Sequence, residues 1–520
     1  MKDAVIIGGG LAGLSAAWRL RHWDTLVLES SPRTGGRIRS EKRGPFFLNW
    51  GGHVFSGPGS STDELLKESG TRFVEVPGNL AGLHMNGKML LKGPAQTYPL
   101  RVPLKLRDRI SMFTAGAKVS LDVLRYAAAV RKRPGESGET RQQRIYDFEN
   151  TRSFSDYLGD ISPEAEALFT PTVTRSAGDP HQISAGAGIG YFSLVWNIGQ
   201  GLNRSIAGGP STLTENLAAA QSGRIITEAD VQELTQHDGY VTVRYRKDGA
   251  DHEVNARTAV MATPAPVSHR IGVDLRPSLR EALSKVQYGA YVSAAFLTNE
   301  TTPKAWDSAY GIATPKRSFN IVLNQGNVVH GLSDKRRPGG SIMVFSPASL
   351  ADRLLPLSDE EITDIYMRDL EEVLPGFSDI VTESHIQRWP LGAPYCFPGR
   401  AAIQEELMTP EDRVFLAGDY LGSLYTETAI TSAFTAAQRA ASILATESQY
   451  RRSGGVTDGA ATGTDGWLQP GADTLAESPA PHPLADSVAP FQPADASADP
   501  VLTALSDGRS ATATPPAAAL

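Results

Sequence analysis

Two periods of apolar and polar residues run along the chain, and the switches between them mark its elements. Ala4-Val5-Ile6-Ile7 is an unbroken apolar run, the length of a strand buried on both faces. Leu14, Ala17 and Leu20 then recur at helical spacing, and Thr25-Leu26-Val27-Leu28 is a second short run that ends in Glu29. Ser61 to Gly70 carries helix punctuation: Ser61 or Thr62 as cap, Asp63 and Glu64 in the first turn, Gly70 past the end. Short apolar pieces flank Asn86-Gly87, which predicts a hairpin. Pro103 to Val130 repeats apolar residues at helical spacing with Lys and Arg between them. Such a helix can lie on an anionic membrane, but the pattern reads first as one wall of a domain with a solvated face. Arg133 to Arg144, rich in Gly, Glu and Arg, is expected to be a loop. Tyr240 to Tyr245 alternates like a half-buried strand, and Thr258 to Pro264 reads as a buried strand ending in a turn. Tyr288 to Thr298, Ser318 to Leu323 and Gly340 to Phe345 predict further strands. Asp359 to Leu374 predicts an amphipathic helix, and Thr428 to Leu444 a helix built on small residues.

The first switch of period has chemical content. Gly8-Gly9-Gly10-Leu11-Ala12-Gly13 lies between the first strand and the first helix and fits G-x-G-x-x-G. Gly8 permits the tight turn, Gly10 clears the approach of a pyrophosphate, and Gly13 lets helix and strand pack closely. The helix start turns free N–H groups at Leu11 and Ala12 toward the phosphates. Glu29 follows at the spacing at which an acid accepts hydrogen bonds from a ribose. Strand, glycines, helix, strand and acid in register predict a dinucleotide site.

After Glu29 come Ser30 and Pro32-Arg33-Thr34-Gly35-Gly36-Arg37, a second glycine turn bearing an arginine. Here the chain resembles the flavin-binding superfamily of protoporphyrinogen oxidases, amine oxidases and carotenoid-type desaturases. The resemblance covers Met1 to about Leu444. It implies an α/β fold: a Rossmann-like, GR2-type FAD-binding domain with an inserted α+β substrate domain. The FAD domain would be discontinuous, over residues 1–75, 205–285 and 388–447. The substrate domain would take 76–204 and 286–387, and an acidic disordered tail 448–520. By the same resemblance Gly35, Gly36 and Arg37 sit by the FAD pyrophosphate. Asn49, Trp50, Gly51, Gly52 and His53 neighbour the flavin, the backbone of Val231 meets the adenine, and Thr263 and Pro264 lie beside the cofactor. Val414 to Asp419 resembles the last flavin motif, with Gly418 and Asp419 toward the ribitol or phosphate and the helix-start amides of Thr428, Ala429 and Ile430 toward the ring.

Candidate catalytic residues are His53 as a proton shuttle, Tyr395 flanking a substrate, and Tyr425 and Glu427 in the loop after Asp419. Each has a structural alternative, local hydrogen bonding or aromatic packing. Gly178-Asp179 with Ile183-Ser184 resembles the segment of protoporphyrinogen oxidases, and Ser184 can cap a helix. The amine oxidases carry a lysine that holds a water against the flavin; Ser293 stands near that place. The first expectation is therefore hydride transfer from a substrate C–H to FAD, as in protoporphyrinogen oxidases and desaturases. The alternatives are a flavin amine oxidase, a non-redox isomerase like the UDP-galactopyranose mutases, and a non-enzymatic flavoprotein.

Composition narrows the partners. The 520 residues carry a net charge of −7, and eight acids against three arginines fall after Gln449. The body is thus nearly neutral, without the basic field that nucleic acid requires. No run of about 18 apolar residues spans a bilayer, so membrane contact is limited to the periphery. Cys396 is the only cysteine, which excludes an intrachain disulfide and fits a reducing, cytoplasmic setting. No targeting segment and no metal cluster is read. The partner is a small molecule, and the oligomeric state is left open.

Overall fold

The first strand, Lys2–Ile7, is buried on both faces because its residues alternate between two cores: Ala4 and Ile6 in one, Val5 and Ile7 in the other. A strand of this kind belongs in a parallel sheet covered on both sides. In the computed structural model, which describes residues 1–76, 82–196, 202–332, 335–423 and 425–452, it lies in a seven-stranded sheet. Thr25–Leu28 runs parallel on one side and Ala250–Met261 on the other, with Ile6 opposite Val260. Ile225–Ile226 extends one edge. Val414–Leu416 adds in parallel beyond Ala250–Met261, whose first half instead pairs antiparallel with Tyr240–Lys247. The strand expected from Thr258 thus begins eight residues earlier, at Ala250.

Helix Leu11–Arg19 covers one face of this sheet, and the last helix, Tyr425–Arg452, packs on it through Ala433, Ala436, Ala437 and Ala440. Small side chains let the two backbones approach. The last helix begins three residues before the expected Thr428 and runs past Leu444 to Arg452. The rest of the expected acidic tail lies outside the described residues.

A second seven-stranded sheet draws on other parts of the chain. Its order is Val381–Pro394, Tyr288–Thr298, Gly340–Pro347, Ile321–Asn324, Gly311–Ala313, Gly82–Met85, Lys88–Leu90. The Asn86-Gly87 hairpin is present, both residues at positive φ, with Met85 opposite Lys88. Helix Asp359–Val373 covers one face, its first turn closed by Ser358 and Glu361 in a reciprocal capping box.

A helical layer completes the unit. Leu106–Val130, Phe154–Leu158, Pro163–Val173 and Ala185–Val195 share a core of Val119, Val123, Phe154, Phe169 and Ile189. Ser184 caps the last of these by accepting from Ala187 N. Two local expectations are corrected. The stretch expected as a loop from Arg133 to Arg144 contains a helix, Gly138–Asp147, which Ser137 caps by accepting from Thr140 N. The helix Ser61–Glu68 is capped by Ser60, one residue before the expected cap.

Candidate functional site

The glycine turn after the first strand has the shape its sequence implies. Gly8 sits at φ +104°, and a β-carbon there would lie 2.7 Å from Ala262 O. A β-carbon on Gly13 would lie 1.8 Å from Gly8 O, so the helix can press onto the turn only with glycine at that position. No side chain caps helix Leu11–Arg19, and its first backbone bond runs from Leu14 N to Gly10 O. The amides of the first turn therefore remain available to a ligand. The second glycine turn docks on the first: Gly35 N donates to Gly9 O at 2.8 Å, and Gly36 faces Gly10.

Glu29 ends the second strand, and its carboxylate accepts from Gly9 N at 2.7 Å and Ser31 N at 2.8 Å. Ser30 is exposed beside it. Ala229 N donates to Glu29 O, which brings the buried Val231 to the same loop. Thr263 borders Gly8, and Pro264 precedes helix Ala265–Ile271.

The two ends of the chain meet at one ion pair. Arg37 donates to both carboxylate oxygens of Asp419, at 2.8 and 2.9 Å, and to Gly392 O at 3.2 Å. Burial opposes the Arg37 charge, but Asp419 and Tyr288 outweigh it and raise its pKa above the ordinary value. Gly418 N donates to Ser432 Oγ of the last helix. Gly51 lies flat against Arg37, where a β-carbon would come within 2.0 Å of Arg37 O, and Gly52 borders both Ile38 and Thr426. A bare glycine cradle, an uncapped helix start, an acid at the ribose spacing and a half-buried arginine form a donor and acceptor set that fits FAD.

Beyond Gly52 the chain enters an aromatic chamber. The His53 ring lies 6.4 Å from Tyr310 and 6.0 Å from Phe345. Burial and the charge of Arg175 lower its pKa to about 4, so the imidazole is neutral at pH 7. Tyr291 packs edge-on against Phe345 and donates to Arg175 O at 2.7 Å; Tyr191 donates to the same carbonyl at 3.3 Å. The rings of Tyr191 and Tyr425 are 6.2 Å apart. Burial holds both phenols well above their usual pKa, so they remain neutral hydroxyls.

Arg175 is the exception in this neutral wall. Its Nε is buried without a hydrogen-bond partner, and it makes no ion pair among the described residues. Burial lowers its pKa to about 10; the opposing influences come from Tyr191 and Tyr291, not from a carboxylate. Arg175 is half-buried, and a cation without a counter-charge among neutral groups is a place that an anion can occupy.

The other candidates take different places. The carboxylate of Glu427 accepts from Ser61 N, Thr62 N and Thr62 Oγ1, which fastens it to the start of helix Ser61–Glu68. The Tyr395 ring lies on Gly178, 3.2 Å from where its β-carbon would be. Because the last helix opens at Tyr425, its unpaired amides are those of Tyr425 to Glu427. Thr428, Ala429 and Ile430 follow that turn, and Ile430 points into the core. Ser293 is enclosed, donating to Trp50 O at 2.8 Å and accepting from the Trp389 indole at 3.2 Å. Sequence reasoning did not single out Arg175, Tyr191 or Tyr291 as site residues. They come from a turn, a helix and a strand, and no spacing joins them.

Comparison with known proteins gives a consistent picture. The family model described as flavin containing amine oxidoreductase matches residues 11–445. An L-amino-acid oxidase from Sistrurus catenatus edwardsii is 26% identical over 484 residues, covering 84% of this chain and 86% of that protein. One from Bothrops pictus is 25% identical over 456 residues, 81% of this chain and 85% of that protein. Among solved structures, putrescine oxidase bound to putrescine has a TM-score of 0.67 at 19% identity, over 85% of this chain and 99% of that chain. Cyclohexylamine oxidase from Brevibacterium oxydans IH-35A has a TM-score of 0.66 at 17% identity, over 86% and 99%. At such identities the structural likeness speaks for the fold alone.

Proposed function

The chain belongs to the flavin-containing amine oxidoreductases, an FAD-dependent family, and from that premise we propose that it oxidises an amine that also carries a carboxylate. Arg175 is the observation that carries this reading. A guanidinium enclosed by neutral tyrosines and a neutral histidine selects an anion. An α-amino acid supplies that anion one bond from the carbon to be oxidised, which agrees with the L-amino-acid oxidases of Sistrurus catenatus edwardsii and Bothrops pictus.

FAD, when bound, supplies the acceptor for the hydride. The chain's own residues do the positioning. Gly8, Gly10, Leu11, Ala12, Gly13, Gly35, Gly36 and Arg37 cradle the pyrophosphate, and Glu29 and Val231 hold the adenosine end. Gly51 and Gly52 let the ring approach, with Asp419 holding Arg37 in place. Tyr191 and Tyr425 flank the amine, which must be neutral to give up hydride from the adjacent carbon. His53, itself uncharged, adds no second cation to compete for the carboxylate. Loss of a hydride from the neutral amine leaves an iminium ion, which gives up a proton to water as the imine, and water converts that to a carbonyl and ammonia. In this reading the division into a discontinuous FAD domain and an inserted substrate domain keeps the boundaries expected from sequence.

The protoporphyrinogen-oxidase and desaturase reading rested on Gly178-Asp179 and Ile183-Ser184. Those residues have architectural duties here: Gly178 makes room for Tyr395 and Ile183, and Ser184 caps a helix. Ser293 is enclosed, its hydroxyl bonded to Trp50 and Trp389, and it puts no lysine at that place.

The test is anaerobic reduction of the holoenzyme. Bleaching of the flavin by α-amino acids, and much slower bleaching by the amines that lack their carboxylate, is the expected result. Bleaching by porphyrinogens or polyenes in place of amino acids would overturn the proposal, as would turnover of a nucleotide sugar by the reduced protein alone.

A further inference from the structure

Helix Leu106–Val130 is apolar on two opposite sides. Its inner side, with Val119 and Val123 fully buried, packs on the helical layer. Its outer side exposes Leu106 at 74%, Ile110 at 56%, Phe113 at 48%, Leu121 at 62% and Leu124 at 60%. At 3.6 residues per turn these five side chains fall within a sector of about 80°, so they form one stripe along the helix. A contiguous exposed stripe of large apolar residues marks a contact surface.

The charges say which contact. Arg107 and Arg125 lie about 40° beyond one edge of the stripe, and Arg109 about 40° beyond the other. Arg131, Lys132 and Arg133 follow at the C-terminal end. Arg107, Arg131 and Lys132 make no ion pair among the described residues. The two acids of the helix are turned away: Asp122 is buried, accepting from Tyr157 and Arg125, and Asp108 projects on the same side as Asp122. A second copy of the helix would bring like charges together along both rims. An anionic, apolar-cored surface would not.

We propose that this face docks the protein on an anionic lipid bilayer, the leucines and Phe113 entering the headgroup boundary and the basic rims meeting the lipid charges. The helix does not cross the bilayer: no described helix is long and apolar enough for that. Docking is peripheral, reversible and sensitive to salt. The inner side of the same helix meets the helix that carries Tyr191, since the Tyr126 ring fills the space beside Gly190. One helix therefore separates the lipid surface from the aromatic chamber. The proposal does not depend on the amine reading, because its measurement involves no substrate.

The experiment is co-sedimentation of the full-length holoenzyme with vesicles of phosphatidylcholine alone or mixed with phosphatidylserine, over a range of salt. Binding is expected only with phosphatidylserine, and it falls as salt rises. The double variant Ile110→Ser, Leu121→Ser keeps its flavin spectrum and loses binding. The charge reversals Arg107→Glu and Lys132→Glu together lower the partition coefficient on the order of tenfold or more. A holoenzyme that stays in the supernatant with both vesicles overturns the proposal. So does a dimer, measured by sedimentation velocity, that the serine variant splits into monomers.

Discussion

The glycine cradle and the aromatic chamber meet at Gly52, yet they are built in opposite ways. The cradle is contiguous in sequence from Gly8 to Arg37 and works through backbone: turns without side chains, amides at a helix start, one glycine turn resting on another. The chamber is assembled from Gly51-Gly52-His53, the turn at Arg175, the helix carrying Tyr191, the strand carrying Tyr291 and the helix opened by Tyr425. It works through side chains, and its central charge has no ion-pair partner among the described residues. A backbone site tolerates no added atom at its tightest points, Gly8 and Gly13. A side-chain site tolerates substitution in the fold and loses only its selectivity.

The largest expected effect tests the first half of that contrast. Gly13→Val places a side chain where Gly8 O already stands, 1.8 Å from the β-carbon. Loss of at least about 4 kcal/mol is expected, the scale of severe core disruption, with no yellow holoprotein recovered. A variant that binds FAD normally would show that the cradle is not rigid.

The second half is tested by Arg175→Met. Removal of a charge that binds the substrate carboxylate should lower kcat/KM for α-amino acids on the order of a thousandfold. Activity toward amines without a carboxylate should hold or rise. The folded protein should be no less stable, and thermal unfolding should shift upward by on the order of 1 kcal/mol, since an unpaired enclosed cation is replaced by an apolar chain. Equal losses for both substrate types would assign Arg175 to structure and dissolve the contrast.

The smallest effect concerns His53. Its pKa in the fold is about 4, against 6.5 ordinarily. Between those values the unfolded chain takes up a proton that the folded chain refuses, so stability falls as pH drops from 6.5 toward 4 and changes no further below. The loss is on the order of 2 kcal/mol after solvent screening is allowed for. Urea unfolding of His53→Gln across that range should lack this component. In the Arg175→Met background the same titration should move to higher pH, because Arg175 is one cause of the depression.

The cradle was legible because each requirement falls on a neighbouring residue: a run, a glycine at a fixed place, an acid after the second strand. The chamber was legible only in part. His53 and Tyr425 were found beside glycine and Gly-Asp motifs. Arg175 stands three residues before Gly178-Asp179, whose family resemblance pointed to another chemistry, although the tasks of Gly178 and Ser184 are packing and capping. Tyr191 and Tyr291 carry no local signal, because what matters is a shared carbonyl acceptor reached from a helix and a strand. Glu427 looked like an acid near the flavin; its partners are the amides of Ser61 and Thr62, far away in sequence. The helix Gly138–Asp147 was missed because its glycine and charged residues imitate a loop, while Ser137 supplies the cap that starts it. The same limit explains the order of the functional readings. Ser293, standing near the place of the amine oxidases' lysine, put the amine reading second, and its own partners are Trp50 and Trp389.

The ion pair between Arg37 and Asp419 joins residues 382 positions apart. The nucleotide loop leaves the ribosome well before its counter-charge does. At roughly 5–20 residues per second the wait is on the order of 20 to 80 s. Pigment uptake thus waits for Asp419, and any chain cut short before it yields a colourless product, however intact its glycine motif.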